Sequence, residues 1–498
     1  MKRNTLKWIL LMATIPAIVA CSQPAAAPAV VAAQPSPREA NKAAVQKAYQ
    51  DNVKKYAGNT DMLVLPGVLA NRVKKQIVVQ AEATGLGKSD PIEFFAASDE
   101  SGNDYETLTV AFAKPGDVRK ALEFIGMQPG RTVDFSKLCF WAKGERILAT
   151  ASWKDSQGKP VEARFEDLLI DARTNRPLPK SGLVFTGSRM VEWPEGSGKK
   201  VLAADAFDPH SIASNYNEPQ TLMDVPRQAV QGDVYRSQIL NPNLRLPAQG
   251  LVDLILRPEY VDGRKRVMDL TLDLGVKPGT EGAEIGQVEF RLRDPAGKTL
   301  NADPGLNALL QTCTELVQQG HDPFVAVNAG EAITLKAIAQ VSRILSSIET
   351  DSGIRIEPPG PGQLFYRAFM PNEAFRNRDT RSAQPWELHL TLDGGKVAAK
   401  LVQIEETWKE GEIQPDLKIA EVPLPDPASL KKELDERTKA IEARKERALP
   451  VILVYAQPGI TFGTLMKYLG PVQATHPTIH VFLPVEGANA GPAAAGAK

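Results

Sequence analysis

The sequence predicts an α+β fold in several domains, and three observations carry that prediction. Length is the first: 498 residues of ordinary globular composition, 43% apolar and 24% charged, suggest about three domains. The second is an internal repeat. Pro323, Val327, Ala329, Ile333 and Thr334 align without a gap on Pro450, Val454, Ala456, Ile460 and Thr461. Each copy, Pro323 to Pro358 and Pro450 to Pro484, reads as strand, turn, amphipathic helix and second strand. Leu335, Ile338, Val341, Leu345 and Ile348 recur at steps of three and four in one helix, as do Phe462, Leu465, Leu469 and Val472 in the other. The third is the stretch 61–228, where short apolar runs alternate around one clear helix, the pattern of a mixed domain.

Taken in order, residues 1–20 read as a secretory signal. Lys2, Arg3 and Lys7 precede the apolar run Trp8 to Ala20, which is too short and too tightly bounded for a membrane span. Segment 21–60 follows as an Ala/Pro tether, Ser22 to Pro37, and a polar helix from about Glu39 to Tyr56. In 61–228 the runs Ile77–Val79, Ile92–Phe95 and Leu108–Phe112 read as strands. Pro115 opens a helix that Gly126 stops, with Val118, Leu122 and Ile125 on its buried face. Ile147, Ala149, Ala151 and Trp153 alternate before a turn at Asp155–Gly158, and Val161 to Phe165 returns.

The first repeat, 229–356, has alternating strands from about Gly250, among them Met268–Leu274 and Val288–Leu292, and a helix from about Pro304 to Gln319. After the break EPPGPG at 357–362 the order recurs in 357–484, with Trp386, Leu388, Leu390 and Leu392 alternating and a helix from Pro427 to Leu449. Two such copies linked on one chain are expected to pair with each other, because the link makes their association intramolecular. The tail 485–498 has no core residues and is expected to be disordered.

Three resemblances attach to these segments. Ile18-Val19-Ala20-Cys21 resembles the lipobox of bacterial lipoproteins, which implies that Cys21 becomes the first mature residue and carries acyl chains. The sequences IEFFAA at 92–97, YETLTV at 105–110, ALEFIGMQPG at 121–130, GLVFTGS at 182–188 and LAADAFDPHSIASNYN at 202–217 resemble the YdjY-like family, a secreted bacterial domain without an established activity. That family often has His-Glu where this chain has Tyr105-Glu106, which weakens a metal role for the position. The repeated strand–turn–helix ending, opening Pro-x-x-x-Val-x-Ala, looks like the periplasmic domain of the ExbD/TolR family. Members of that family assist proton-driven energy transfer, but this chain lacks their transmembrane helix with its proton-linked Asp.

Chemistry is sparse in the sequence. A net charge of zero argues against nucleic acid as a main partner, since counterion-driven binding needs a basic face. Gly85-Leu86-Gly87-Lys88-Ser89 falls short of a phosphate loop, because Glu82 stands where the first glycine belongs and would repel phosphate; Gly196-Ser197-Gly198-Lys199 also reads as a turn. His476 and His480, the only close pair among five histidines, read as surface residues. Cys313 reads as a core thiol rather than the disulfide partner of Cys139. No cofactor and no metal site are expected. The best concentration of reactive groups is Asp205, Asp208 and His210 with Asn215 and Tyr216; Tyr105 with Glu106 is a second, weaker pair.

The expected protein is therefore a membrane-anchored envelope lipoprotein, on the outer membrane or a periplasmic face. It would bind or scaffold an envelope partner without catalysis. The alternatives are a periplasmic, hydrolase-like enzyme with its site at Asp205–Tyr216, and an accessory subunit of an envelope energy-transducing complex.

Overall fold

The computed structural model describes residues 36–134, 142–226, 229–347, 355–357, 386–407, 416–444, 448, 450–476 and 478–483. Residues 1–35, with the signal segment and Cys21, lie outside the described residues, as do Cys139, Ile348, most of the EPPGPG break and the tail 485–498. Helices and strands are interspersed and the strands form several sheets, so the chain is α+β and multi-domain. Among the described residues no helix is long and apolar enough to cross a membrane.

The mixed domain read at 61–228 proves to be a closed eight-stranded barrel. Its strands are β1 (Gln76–Ala83), β2 (Phe94–Ser98), β3 (Thr107–Ala111), β4 (Arg146–Lys154), β5 (Leu183–Phe185), β6 (Ser211–Ser214), β7 (Met223–Asp224) and β8 (Leu251–Pro258). Around the ring they run β1–β8–β4–β5–β7–β6–β2–β3, and β3 closes on β1 with Ala81 opposite Ala111. All neighbours are antiparallel except β6–β7 and β2–β3. Every strand feeds one core, for example Val79, Phe95, Leu108, Ala149, Phe185, Ile212, Met223 and Leu254. A ring of eight strands is narrow enough for side chains to fill it.

The strand β8 lies beyond the 228/229 boundary, on the repeat side of the sequence reading, yet it sits between β1 and β4 in the barrel. Its alternation of Val252, Leu254 and Leu256 fits any sheet with a buried face, so periodicity could not name its partners.

Two helices brace the barrel. Helix α1 (Pro37–Lys55) starts on a Ser36/Glu39 capping box. It is tied to β1 by Arg38, whose Nε lies 3.0 Å from the buried carboxylate of Glu82. Helix α2 (Pro115–Phe124) buries Val118 and Leu122, with Pro115 in its first turn. A third helix, α3 (Gln231–Ser237), lies between β7 and β8.

From β8 the chain turns at Asp262-Gly263, both with positive φ as a tight two-residue hairpin requires, and enters the first of two further sheets. That sheet contains β9 (Val267–Val276), β10 (Val288–Arg293), β11 (Asp322–Ala329) and β12 (Arg355–Glu357), in the order β10–β9–β11–β12. The second contains β13 (Trp386–Asp393), β14 (Lys396–Thr407), β15 (Asp416–Leu424), β16 (Val451–Ala456) and β17 (Thr478–Phe482), in the order β15–β14–β13–β16–β17. Each sheet has an antiparallel pair followed by two parallel steps; among the described residues β15 is the one strand without an equivalent in the first. Helices α4 (Leu306–Gln318) and α5 (Leu335–Ser347) accompany the first sheet, and α6 (Pro427–Ala443) and α7 (Phe462–Leu469) the second.

One apolar core runs through both sheets, from Leu272, Phe290 and Ile338 to Leu388, Val454 and Leu465. The two units also meet backbone to backbone. Thr334 and Thr461 form an isolated antiparallel bridge. Leu335 N donates to Ile460 O at 2.8 Å, and Phe462 N to Ile333 O at 2.8 Å. Lys336 N donates to Pro458 O at 3.0 Å, and Gly463 N to Glu331 O at 2.8 Å. Each bond has its counterpart with the two units exchanged. Gly463 permits the approach, since a Cβ there would lie 2.8 Å from Glu331 Cβ.

His476 and His480 are not surface residues: both are buried, and burial lowers the His476 pKa. His480 lies in β17, whose residues from Ile479 to Phe482 are all buried, so no alternation in the strand could reveal its burial. Cys313 is free and buried in the shared core, where burial pushes its thiol up to about 12.

Barrel and first sheet are joined by a buried ion pair. Arg146 on β4 donates from Nε to Asp322 Oδ2 on β11 at 2.8 Å, and from Nη2 to the same oxygen; each side chain is 1% exposed.

Candidate functional site

The segment Asp205–Tyr216 does not converge, because β6 runs through its middle. A four-residue strand is about 13 Å long, so its two halves emerge at opposite ends of β6, and of the first half only Asp208 is near enough to add to the raising of Glu106 and Tyr105. At the near end, Asp205 Oδ1 accepts from Gly116 N at 2.8 Å and thereby caps α2, as a carboxylate at a helix start does. Asp208 accepts from Asn103 Nδ2 at 2.9 Å and Gly102 N at 3.3 Å. His210, with a positive φ, sets Nδ1 3.2 Å from Ala204 O across the helical turn 203–206. These three candidates serve three separate backbone or loop contacts.

At the far end, Asn215 and Tyr216 join Tyr105 and Glu106. Parallel β2 and β3 begin there and antiparallel β6 ends there, which brings Glu93 and Glu106, each just before its strand, beside the residues that follow β6. Glu93 is 2% exposed and Glu106 8%. Both Glu93 oxygens accept from Gln231 Nε2 at 2.8 Å, and Tyr235 donates its hydroxyl to Glu93 as well. Asn215 Nδ2 donates to Ile92 O at 2.8 Å and Gln238 Oε1 at 2.5 Å. Tyr216 packs its ring 5.9 Å from Phe94. Tyr105 and Tyr235 stand at the surface, 64% and 55% exposed.

The electrostatics follow from crowding acids in a partly dry place. Burial, then the Glu93 charge, raises the Glu106 carboxyl. The Glu106 charge raises the Tyr105 hydroxyl, and the hydrogen bond to Glu93 pushes Tyr235 up to about 12. Tyr216 is raised by burial and by the nearby Glu218, Glu93 and Glu106 charges. Glu218 itself, buried beyond β6, is pushed up to about 7. The cluster is an electronegative patch edged with aromatic rings, suited to a cationic group on a binding partner. Among the described residues no group of three or more His, Cys, Asp or Glu side chains is placed to hold a metal ion.

Sequence reading singled out Tyr105, Glu106, Asn215 and Tyr216 but missed Glu93, Glu218, Gln231 and Tyr235. Glu93 had a signal: a lone carboxylate inside the apolar run 91–97, where a charge is rarely buried without a partner. Gln231 and Tyr235 had none, since they come from α3, which the sequence did not announce.

No curated protein and no solved structure matches the chain. A family model does match about a third of it: residues 68–224, which hold every barrel strand except β8, match the YdjY domain.

Proposed function

We propose that this chain is a lipid-anchored envelope protein that binds a partner through the Glu93/Glu106 patch and performs no catalysis. One observation carries the reading. Asp205, Asp208 and His210, which the hydrolase-like alternative needs together, are spent on separate structural contacts, whereas two buried glutamates and two exposed tyrosines converge at one barrel end. The anchor rests on the lipobox at Cys21 and the Ala/Pro tether behind it. The test is cross-linking in intact cells followed by fractionation. Cys21→Ala should release the chain from membranes, and Tyr105→Ala with Tyr235→Ala should lose its captured partners while the folded chain stays at the membrane. Membrane fractionation of Cys21→Ala identical to wild type, or unchanged adducts in the tyrosine variant, would refute anchor and patch respectively.

A second reading, the accessory subunit of an envelope energy-transducing complex, is favoured by the two ExbD/TolR-like units. Their matching strand order and the exchange-related hydrogen bonds around Thr334 and Thr461 support a duplicated, self-paired module. Thr334 and Thr461 form a non-hydrogen-bonded pair, for which Cα atoms stand about 4.5 Å apart, close enough for a disulfide. Thr334→Cys with Thr461→Cys should therefore cross-link within one full-length chain on mild oxidation. Peptide mapping that finds the two thiols free, or joined only between chains, sinks the pairing.

A further inference from the structure

Helix α1 has almost no apolar hold on the barrel. Of its 19 residues only Val45 is buried, and its apolar side chains share no common face. The shorter α2 buries Pro115, Val118, Ala121 and Leu122. A helix without an apolar stripe gains little from packing, and alone in water a helix of this length is marginal. Charge does the holding instead. Five cations and two carboxylates lie along α1, and the surface its first turns meet is acidic.

The contacts come from residues 38–42. Arg38 donates from Nε to Glu82 Oε1 at 3.0 Å and from Nη1 to Asp104 Oδ2 at 2.5 Å. Asn41 Nδ2 donates to Glu82 Oε2 at 2.8 Å and to Gln249 O at 2.9 Å. Lys42 Nζ reaches Asp99 Oδ2 at 2.5 Å. Both oxygens of the buried Glu82 are thus taken by α1. The Arg38 and Lys42 side chains are 37% and 65% exposed, so dissolved ions reach these pairs and screen them. Beyond these contacts α1 lies against the strand Met62–Leu65. Gly58, with a φ of 77° and open space around it, gives the chain a pivot between helix and strand.

We propose that α1 is a releasable strap: its first two turns latch onto the barrel by charge, and it lifts off while the barrel stays folded. The chain enters α1 at Ser36, so a pull along residues 1–35 falls first on the Arg38, Asn41 and Lys42 contacts. Release takes Arg38 away from Asp104, the neighbour of Tyr105, and leaves the edge of the Glu93/Glu106 patch more negative. It also pays out chain. The 19 residues measure about 29 Å as a helix and up to roughly 65 Å when extended. That the gain becomes reach from a membrane rests on the anchor at Cys21; the strap itself does not.

Amide hydrogen exchange of the full-length protein, followed by mass spectrometry, tests the strap, with α2 and β1 as internal controls. Raising NaCl from about 0.05 M to about 1 M shortens the screening length to about 3 Å; exchange in α1 should speed up at least about tenfold, and exchange in α2 and β1 should not. Arg38→Gln with Lys42→Gln, which keeps good helix formers at both positions, should have the same effect at low salt. Asn41→Ala is the second variant, should the double replacement disturb β1. Exchange in α1 that neither salt nor these variants change, or that accelerates only together with β1, overturns the proposal. None of these readouts involves the membrane or the Glu93/Glu106 patch, so failure of the strap is distinct from failure of either.

Discussion

Replacing Asp322 by alanine is expected to cost about 3–5 kcal/mol of stability, because it removes the carboxylate that pairs with a guanidinium side chain only 1% exposed. The pair spans β4 of the barrel and β11 of the first sheet, so the loss should appear as a weaker junction as well as a lower unfolding free energy. Denaturant unfolding of Asp322→Ala, read separately by tryptophan fluorescence and by far-ultraviolet dichroism, measures it. The double replacement Arg146→Met with Asp322→Leu should recover most of the loss, since two apolar side chains of similar volume need no charge compensation. A single Asp322→Ala within about 1 kcal/mol of wild type would mean that the pair is not desolvated as its geometry indicates.

Glu218 makes the second prediction, with the opposite sign from the usual carboxylate. Its folded-state pKa is about 7 against an ordinary value of 4.5, and burial is the first cause. Between those two pH values the unfolded chain has released a proton that the folded chain still holds. Stability contributed by this group therefore falls as pH rises from 4.5 to 7 and stays lost above that. The full swing is on the order of 3 kcal/mol. Glu218→Gln removes the titration but keeps an oxygen for the Gln220 N–H, which Glu218 now accepts at 3.0 Å. The stability of Glu218→Gln relative to wild type should thus climb by that amount between pH 5 and pH 8. Glu106 cancels in the comparison because both proteins contain it, whereas Asp224, raised first by burial and also by the Glu218 charge, is relieved by the substitution and adds to the climb. A flat difference across the range would show that Glu218 is solvated or compensated.

Much of the local structure was legible. The helix predicted at Pro115–Ile125 ends one residue earlier, at Phe124, and the one at Pro304–Gln319 is Leu306–Gln318; both carried a clear stop or a strong apolar stripe. The predicted helix Pro427–Leu449 ends earlier, at Ala443, with Arg444 as its C-cap. Strand periodicity was read correctly along Ile147–Trp153, all four of whose alternating residues are buried. Barrel closure was not legible, for a physical reason. Alternation says which face a residue takes but not which strand lies beside it, and β8 reaches β1 and β4 across most of the domain. The site failed in the same way. Closeness in sequence made Asp205, Asp208 and His210 look like one group with Asn215 and Tyr216, while four extended residues set the halves apart. The patch that does form gathers Glu93, Glu106, Tyr216 and Tyr235 from four separate places in the chain, a convergence only the ring of strands produces.

The late arrival of β8 also sets an order of events. A chain that emerges N-terminus first presents seven barrel strands before the eighth exists, and β1 and β4 then face each other across a gap one strand wide. Two unpaired edges of that kind invite pairing with whatever strand is near, including another unfinished chain. Completion waits for Leu251–Pro258, and the Asp262-Gly263 turn then delivers the chain directly into β9. The last stave of the barrel and the first strand of the next sheet are thus two arms of one hairpin-linked segment, and a nascent chain cut anywhere before Pro258 has no finished domain at all.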